Sequence, residues 1–486
     1  MLTDIISLQS LGYGAILCLL AGASLTRWAA SRPHLNIPPG PTEGLGPVPR
    51  IFKVFHDYSQ RYGPVFSIKN GNRIVVVIAG YKVIIDSPLQ IGRELTPAQA
   101  AVEIMQKRGA DLADRPQSVS AQMISGNLRL LIIGAGERMK RFRRILHFQL
   151  QPSTAKQYQP LQLQNAKDYI LDILFDKECY RYAASVIMSV TYGKTTPTQY
   201  SDPEVVAVEA AVQRLVDTLP IGKGWVDKFP FLRHFPLPEV KRLRQYHQAE
   251  MDLFNNQLDD VRQRIKNNEY VPPNVTTHLW ENQTAYGISN DELAYLTGSM
   301  FGAGSDTTAT AMSYMTMAAA LFPDQRARAQ AQLDAVVGRD RLPTFEDQTH
   351  LPLVTAFALE SHRWRPVSPS GNHWSVMHDP EVFPDPEKFI LDRWLDGNGQ
   401  IRGDLKMFGF GFGRRVCPGQ PVAERSLFIN TALMCWAFDV TEDPSVPIDT
   451  MAFTDGAIAH PHPFKVNFEP RIKNLRELLQ GECQPE

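Results

Sequence analysis

Phe410-Gly411-Phe412-Gly413-Arg414-Arg415-Val416-Cys417-Pro418-Gly419 is the stretch on which the reading of this chain turns. Glycines let a backbone turn tightly and come close to a flat ligand. The loop feeds a helix through Pro418 and Gly419, which places Cys417 near a helix N-terminus. There the positive end of the helix dipole, with Arg414 and Arg415 beside it, favours the thiolate over the thiol. A thiolate at a tight turn, with an arginine two residues before it to pair with an acid, suits a metal-bound dianionic macrocycle. A buried cysteine in a glycine-rich loop is the plainer reading of one cysteine taken alone; the arrangement around Cys417 goes against it.

Three other segments carry chemistry. In Glu360-Ser361-His362-Arg363, followed by Trp364-Arg365-Pro366, the acid and the base three residues apart share a helix face. Ala303-Gly304-Ser305-Asp306-Thr307-Thr308 lies inside an apolar run, Leu293 to Phe322, opened by the capping box Ser289-x-x-Glu292. As a helix that run measures ~45 Å. A membrane span of this length would bury Asp306 in lipid, so a helix through the protein core is the expectation. Its small residues allow close approach to a flat cofactor. Its acid and hydroxyls either loosen the backbone and hold water or form a buried polar pair that fixes a kink. Between Arg138 and Arg144 stand five basic residues, which read as a solvated face or as a dock for an acidic partner.

These segments resemble the cytochromes P-450, the haem-thiolate monooxygenases. The signature Phe-x-x-Gly-x-Arg-x-Cys-x-Gly is matched at every fixed position. The resemblance implies haem b as cofactor and Cys417 as the metal ligand, a thiolate that pushes electron density toward O–O cleavage. It implies Arg415 as a propionate partner, and Phe410, Gly413 and Gly419 as the rest of the cofactor-binding loop. Arg143 matches the family's Trp-x-x-x-Arg, with Met139 in place of the tryptophan; a thioether cannot donate a hydrogen bond. Glu360 and Arg363 would join Arg393 in a structural triad. Asp306 and Thr307 would pass protons as the catalytic pair. Ala303 would line the substrate pocket. Phe453-Thr454-Asp455-Gly456-Ala457-Ile458, then His460-Pro461-His462-Pro463-Phe464, resembles the family's C-terminal pocket loop, with Ala457 and Ile458 as apolar contacts or, alternatively, an ordinary surface hairpin.

The implied function is insertion of one oxygen atom from O2 into a lipophilic substrate, with electrons from an NADPH-dependent cytochrome reductase. The resemblance is closest to microsomal fungal enzymes of secondary metabolism, which implies the endoplasmic reticulum membrane. Two other readings stand beside it: a haem-binding but catalytically impaired variant, and an oxygen-independent haem isomerase or dehydratase.

Composition agrees with a globular chain: 486 residues, 43% hydrophobic and 21% charged, with a net charge of -1 that gives no case for nucleic-acid binding. The five cysteines are scattered without a CxxC pattern, against a disulfide framework or structural zinc. From Leu11 to Leu25 there is no charge, and Ile5 to Thr26 as a helix spans ~33 Å, enough for a bilayer core. A cleaved signal is the alternative, but Asp4 leads the segment with no Lys or Arg. Arg27 and Arg32 follow, so the positive-inside rule puts the rest in the cytosol as the body of a single-pass protein.

The organisation expected is thus an anchor over 1–30, a Pro-rich hinge over 31–50 containing Pro38-Pro39-Gly40-Pro41, and a catalytic domain over 51–486. The fold class expected is mainly α with a small β-sheet, the P-450 fold with an N-terminal transmembrane helix. A hairpin, Val65–Lys69 and Arg73–Ala79, turns on Asn70-Gly71-Asn72.

The chain departs from the family pattern in two places. The stretch 83–99 is additional where the family passes from strand to helix. After Ser370-Gly371 the chain goes straight to Asn372-His373-Trp374, omitting about two strands and a turn. The hairpin would thereby lose its partners and expose an edge. We attribute both to exon-boundary differences, one segment retained and one skipped. Transcript sequencing is expected to find messages lacking codons 83–99 and messages carrying an extra segment between codons 371 and 372; uniform reads through both junctions would refute this.

Overall fold

The computed structural model describes residues 37–41, 50–70, 73–80, 113–174, 181–194, 201–219, 224–369 and 372–481. The apolar run from Ile5 to Thr26, the turn residues Gly71 and Asn72, the stretch 83–99 and the Ser370–Gly371 junction lie outside them. The longer helices are α1 (Ile51–Tyr62), α2 (Glu137–Leu150), α3 (Gln159–Leu174), α4 (Arg181–Tyr192), α5 (Pro203–Thr218), α6 (Pro238–Lys266), α7 (Asn290–Leu321), α8 (Pro323–Val336), α9 (Pro352–Trp364) and α10 (Gln420–Ala437). The strands are β1 (Val65–Asn70), β2 (Arg73–Ile78), β3 (Phe438–Glu442) and β4 (Val466–Pro470). The chain is mainly helical, as expected.

α7 is the central element. Its capping box forms in full: Glu292 N donates to Ser289 Oγ at 3.1 Å, and Ser289 N donates to Glu292 Oε2 at 3.1 Å. The helix is apolar around most of its circumference, so it must be enclosed on all sides. α4, α5, α6, α9 and α10 pack on it. Gly298 and Gly304 make two of these approaches possible: a Cβ at the first would fall on the Phe254 ring, and one at the second would meet Ile187 Cδ1 at 2.6 Å. The small residues at Gly298 and Gly304 therefore serve helix packing. No helix among the described residues is long and apolar enough to cross a membrane.

Among the described residues the sheets are two antiparallel pairs, β1–β2 with Val65 opposite Ile78, and β3–β4 with Phe438 opposite Pro470. α1 covers one face of the first through Phe55, packed with Phe66, Ile68 and Val77. The Pro-rich hinge runs along β1: Ser67 N donates to Pro39 O at 2.9 Å and Ser67 Oγ to Pro38 O at 2.7 Å. Gly40 is obligatory there, because a Cβ would fall on Ser67 O. Among the described residues β2 has no second neighbour, and Ile74, Val75 and Val76 are 48%, 40% and 49% exposed. Successive strand residues point to opposite faces, so both faces of β2 are uncovered over Ile74–Val76, while Val77 is buried under α1. Asn372, which follows the Ser370–Gly371 junction, donates its side-chain amide to Ile78 O.

The Glu360/Arg363/Arg393 set assembles as expected. Arg363 Nε donates to Glu360 Oε2 at 2.7 Å and its Nη2 to Oε1 at 2.9 Å, with both side chains fully buried. Arg393 Nε reaches Glu360 Oε1 at 3.3 Å, and Trp394 Nε1 donates to Oε2 at 2.9 Å. Arg363 Nη1 also donates to Met377 O at 3.0 Å. α9 is thereby tied to the short helix His373–Met377 and to the segment that leads into the cysteine loop. Glu360→Ala leaves a buried guanidinium without its counter-charge and is expected to cost ~3–5 kcal/mol in urea unfolding. The same change at Glu137, which pairs with Lys140 on the surface, should leave the midpoint where it was.

Candidate functional site

The cysteine loop is built from two left-handed glycines, Gly411 at φ +78° and Gly413 at φ +63°, where a side chain would be strained. Cys417 N donates to Phe410 O at 2.9 Å and closes the loop. Gly419 then caps α10, with Pro421 in its first turn. The Cys417 residue is exposed. Burial among the surrounding protein atoms pushes its thiol pKa up; the N–H groups of Gly419 and Gln420 and the charge of Arg143 oppose that shift by favouring the thiolate. Phe410 stacks on His362 with ring centroids 4.7 Å apart. Burial lowers the His362 pKa to about 4, so this ring is neutral at physiological pH.

Three arginines converge behind the loop. Arg143, on α2, donates to Val416 O at 2.8 Å. Arg415 forks onto three carbonyls: Ala113 at 2.8 Å, Leu130 at 3.0 Å and Ile133 at 2.7 Å. Its pKa is lowered to about 10, first by burial and then by Arg115 and Arg143, with Asp114 opposing. Sequence reasoning misses Arg115; only the Asp114-Arg115-Pro116 context marks it. Met139 is buried in the main core. Of the basic run, Arg138 and Arg141 both pair with Glu292 at the start of α7, and Lys140 pairs with Glu137.

The middle of α7 is its least enclosed part. Ala303 is exposed and Asp306, Thr307, Thr308 and Ala309 are half-buried, whereas Leu293–Gly298 on one side and Tyr314–Ala320 on the other are enclosed. Thr307 Oγ1 donates back to Ala303 O at 2.7 Å, and Thr310 Oγ1 to Asp306 O at 3.0 Å. The Asp306 carboxylate turns elsewhere, accepting from His460 Nε2 at 2.6 Å. The sequence places His460 only within a loop, and nothing near it announces this pairing. The loop that carries it is fixed by Tyr314 Oη donating to Ala459 O at 2.7 Å and Ser368 Oγ donating to Ala457 O at 2.6 Å. Ile458 packs against Ala311, Ala358, Val367 and Leu427.

A family model described as Cytochrome P450 matches residues 95–373 and 370–468, two segments that overlap at the Ser370–Gly371 junction. Cytochrome P450 monooxygenase 64 of Postia placenta is 48% identical over 485 residues, covering 92% of this chain and 94% of that protein. The chain belongs to the cytochrome P450 family. Cytochrome P450 monooxygenase 88 of the same fungus is 47% identical with the same coverage. A zebrafish cytochrome P450 solved with progesterone shares the fold, with a TM-score of 0.68 and 23% identity, covering 87% of this chain and all of that one.

The P450 is accordingly an oxygen-incorporating oxidoreductase of a family whose cofactor is haem b. The residues present suit that cofactor. Cys417 is exposed at a loop whose N–H groups favour the thiolate. Arg115, Arg143 and Arg415 gather positive charge that a dianionic macrocycle would offset. The middle of α7 is not fully covered by other protein elements. Arg415→Lys keeps the charge but cannot fork onto three carbonyls. It is expected to cost ~2 kcal/mol and to raise amide hydrogen exchange over residues 113–135.

Proposed function

We propose that this P450 inserts one oxygen atom from O2 into a lipophilic substrate, a secondary-metabolite intermediate, using electrons from an NADPH-dependent reductase. The observation that carries the reading is the loop that closes on Cys417 through its N–H to Phe410 O, where the N–H groups of Gly419 and Gln420 and the charge of Arg143 oppose the burial that raises the thiol pKa. When bound, the haem supplies the reductive activation of dioxygen. Cys417 would hold the iron, Phe410, Gly413 and Gly419 would shape the proximal side, and Arg143 and Arg415 would face the propionates. Asp306 and Thr307 would handle protons, while Ala303, Ala457 and Ile458 would contact the substrate. The basic run on α2 is the proposed reductase dock, with Arg144 exposed and with Arg138 and Lys140 exposed beside their acidic partners.

Membrane attachment through Ile5–Thr26 at the endoplasmic reticulum, with the catalytic domain cytosolic, belongs to the same reading. Exposed aromatics support it: Trp225, Phe229, Phe231 and Phe235 form a chain of ring contacts with Lys228 over Trp225. Aromatic rings with cations are suited to a headgroup interface. An impaired haem-binding variant is the second reading, favoured by the uncovered β2 and by Met139.

The test is spectroscopic. The reduced protein exposed to carbon monoxide is expected to show the red-shifted Soret band of thiolate ligation, and Cys417→His to lose it. Absence of that band from the unaltered chain overturns the reading. A full band without NADPH-dependent oxygen consumption in the presence of reductase favours the impaired variant.

A further inference from the structure

Asp306 has a partner that lies 154 positions away in the chain. His460 Nε2 donates to Asp306 Oδ1 at 2.6 Å, with the His460 side chain 42% exposed and that of Asp306 18% exposed. The imidazole thus stands between solvent and a carboxylate in the middle of α7. Its backbone is held on both sides, since His460 N donates to Thr454 Oγ1 at 3.0 Å and Thr454 N donates to His460 O at 2.9 Å. A bridge between Phe453 and Pro461 closes the loop, and the Tyr314–Ala459 hydrogen bond fixes it to α7. The ring is therefore placed by the fold.

The Thr307 hydroxyl, one residue on, donates to Ala303 O and makes no contact with the carboxylate. We propose that His460 is the positioning residue of Asp306, holding its carboxylate on the side of the C-terminal loop and releasing it toward Thr307 when the ion pair between His460 and Asp306 breaks. The proposal rests on the reading of Asp306 and Thr307 as the proton-handling pair.

The charges facing His460 are Asp306 on α7 and Glu209 on α5; Thr454 on its own loop is neutral. The hydrogen bond and charge of Asp306 raise the His460 pKa above 6.5, burial opposes them, and Glu209 adds to the rise. A raised histidine pKa contributes stability that is fully present below the unfolded value and lost as pH rises through the folded one. The pair is thus closed in mild acid and opens in the alkaline direction.

Two measurements on the holoenzyme test this. The first is a double-mutant cycle of Asp306→Asn and His460→Gln, read by unfolding at pH 6 and pH 9. A coupling of roughly five- to tenfold in the unfolding equilibrium is expected at pH 6 and none at pH 9. The second is the fraction of NADPH electrons recovered as hydrogen peroxide, measured with reductase across the same range. The unaltered chain should show an inflection above pH 6.5, the ordinary histidine value, absent in both His460→Gln and His460→Ala. No coupling at pH 6, or an inflection that survives in both variants, overturns the proposal. The carbon monoxide band separates the two failures: its loss in the unaltered chain defeats the Cys417 reading, while its retention in variants without coupling defeats the role of His460 alone.

Discussion

The buried Glu360–Arg363 pair is the constraint on which the arrangement of the site depends. Withdrawing two charges from water costs several kcal/mol per ion unless their remaining hydrogen-bonding capacity is met. Here both carboxylate oxygens are met, by Arg363, Arg393, the Trp394 indole and Ile390 N. Arg363 has donors left for Met377 O and Lys388 O. These contacts leave the segment before the cysteine loop little freedom to shift relative to α9. The position of Cys417 is inherited from them as much as from its own loop.

α7 solves a related problem differently. Its interior hydroxyls bond back one turn: Ser305 to Phe301, Thr307 to Ala303, Thr310 to Asp306 and Thr316 to Met312. Such back-bonding meets the needs of each hydroxyl within the helix. A carboxylate has no donor with which to do the same. Asp306 therefore seeks a partner beyond the helix, and the C-terminal loop brings His460 to it.

What is legible in the sequence is local. The Ser289–Glu292 capping box, the β1–β2 hairpin and the glycines around Cys417 are set by residues a few positions apart; the box forms as expected, and the hairpin forms with Asn70 paired to Arg73 inside the ladder where the sequence placed Asn70 in the turn. The triad is also foreseen, though through the family resemblance, since spacing alone says little about Arg393. Distant pairings are not legible: His460 with Asp306, Arg415 with Ala113 and Leu130, and β3 with β4. Gly304 shows a subtler limit. Its need for a small side chain is visible, but which neighbour imposes it, Ile187, depends on how α4 packs.

The seating of Pro38–Gly40 on β1 has a mechanical consequence. Tension entering the described chain at residue 37 passes to Ser67 through two hydrogen bonds, from its N–H and its hydroxyl. The hairpin is held to its surroundings mainly by the small cluster under α1, whereas α7 sits inside the principal core. A steady pull would therefore load the hairpin before the helices of the principal core.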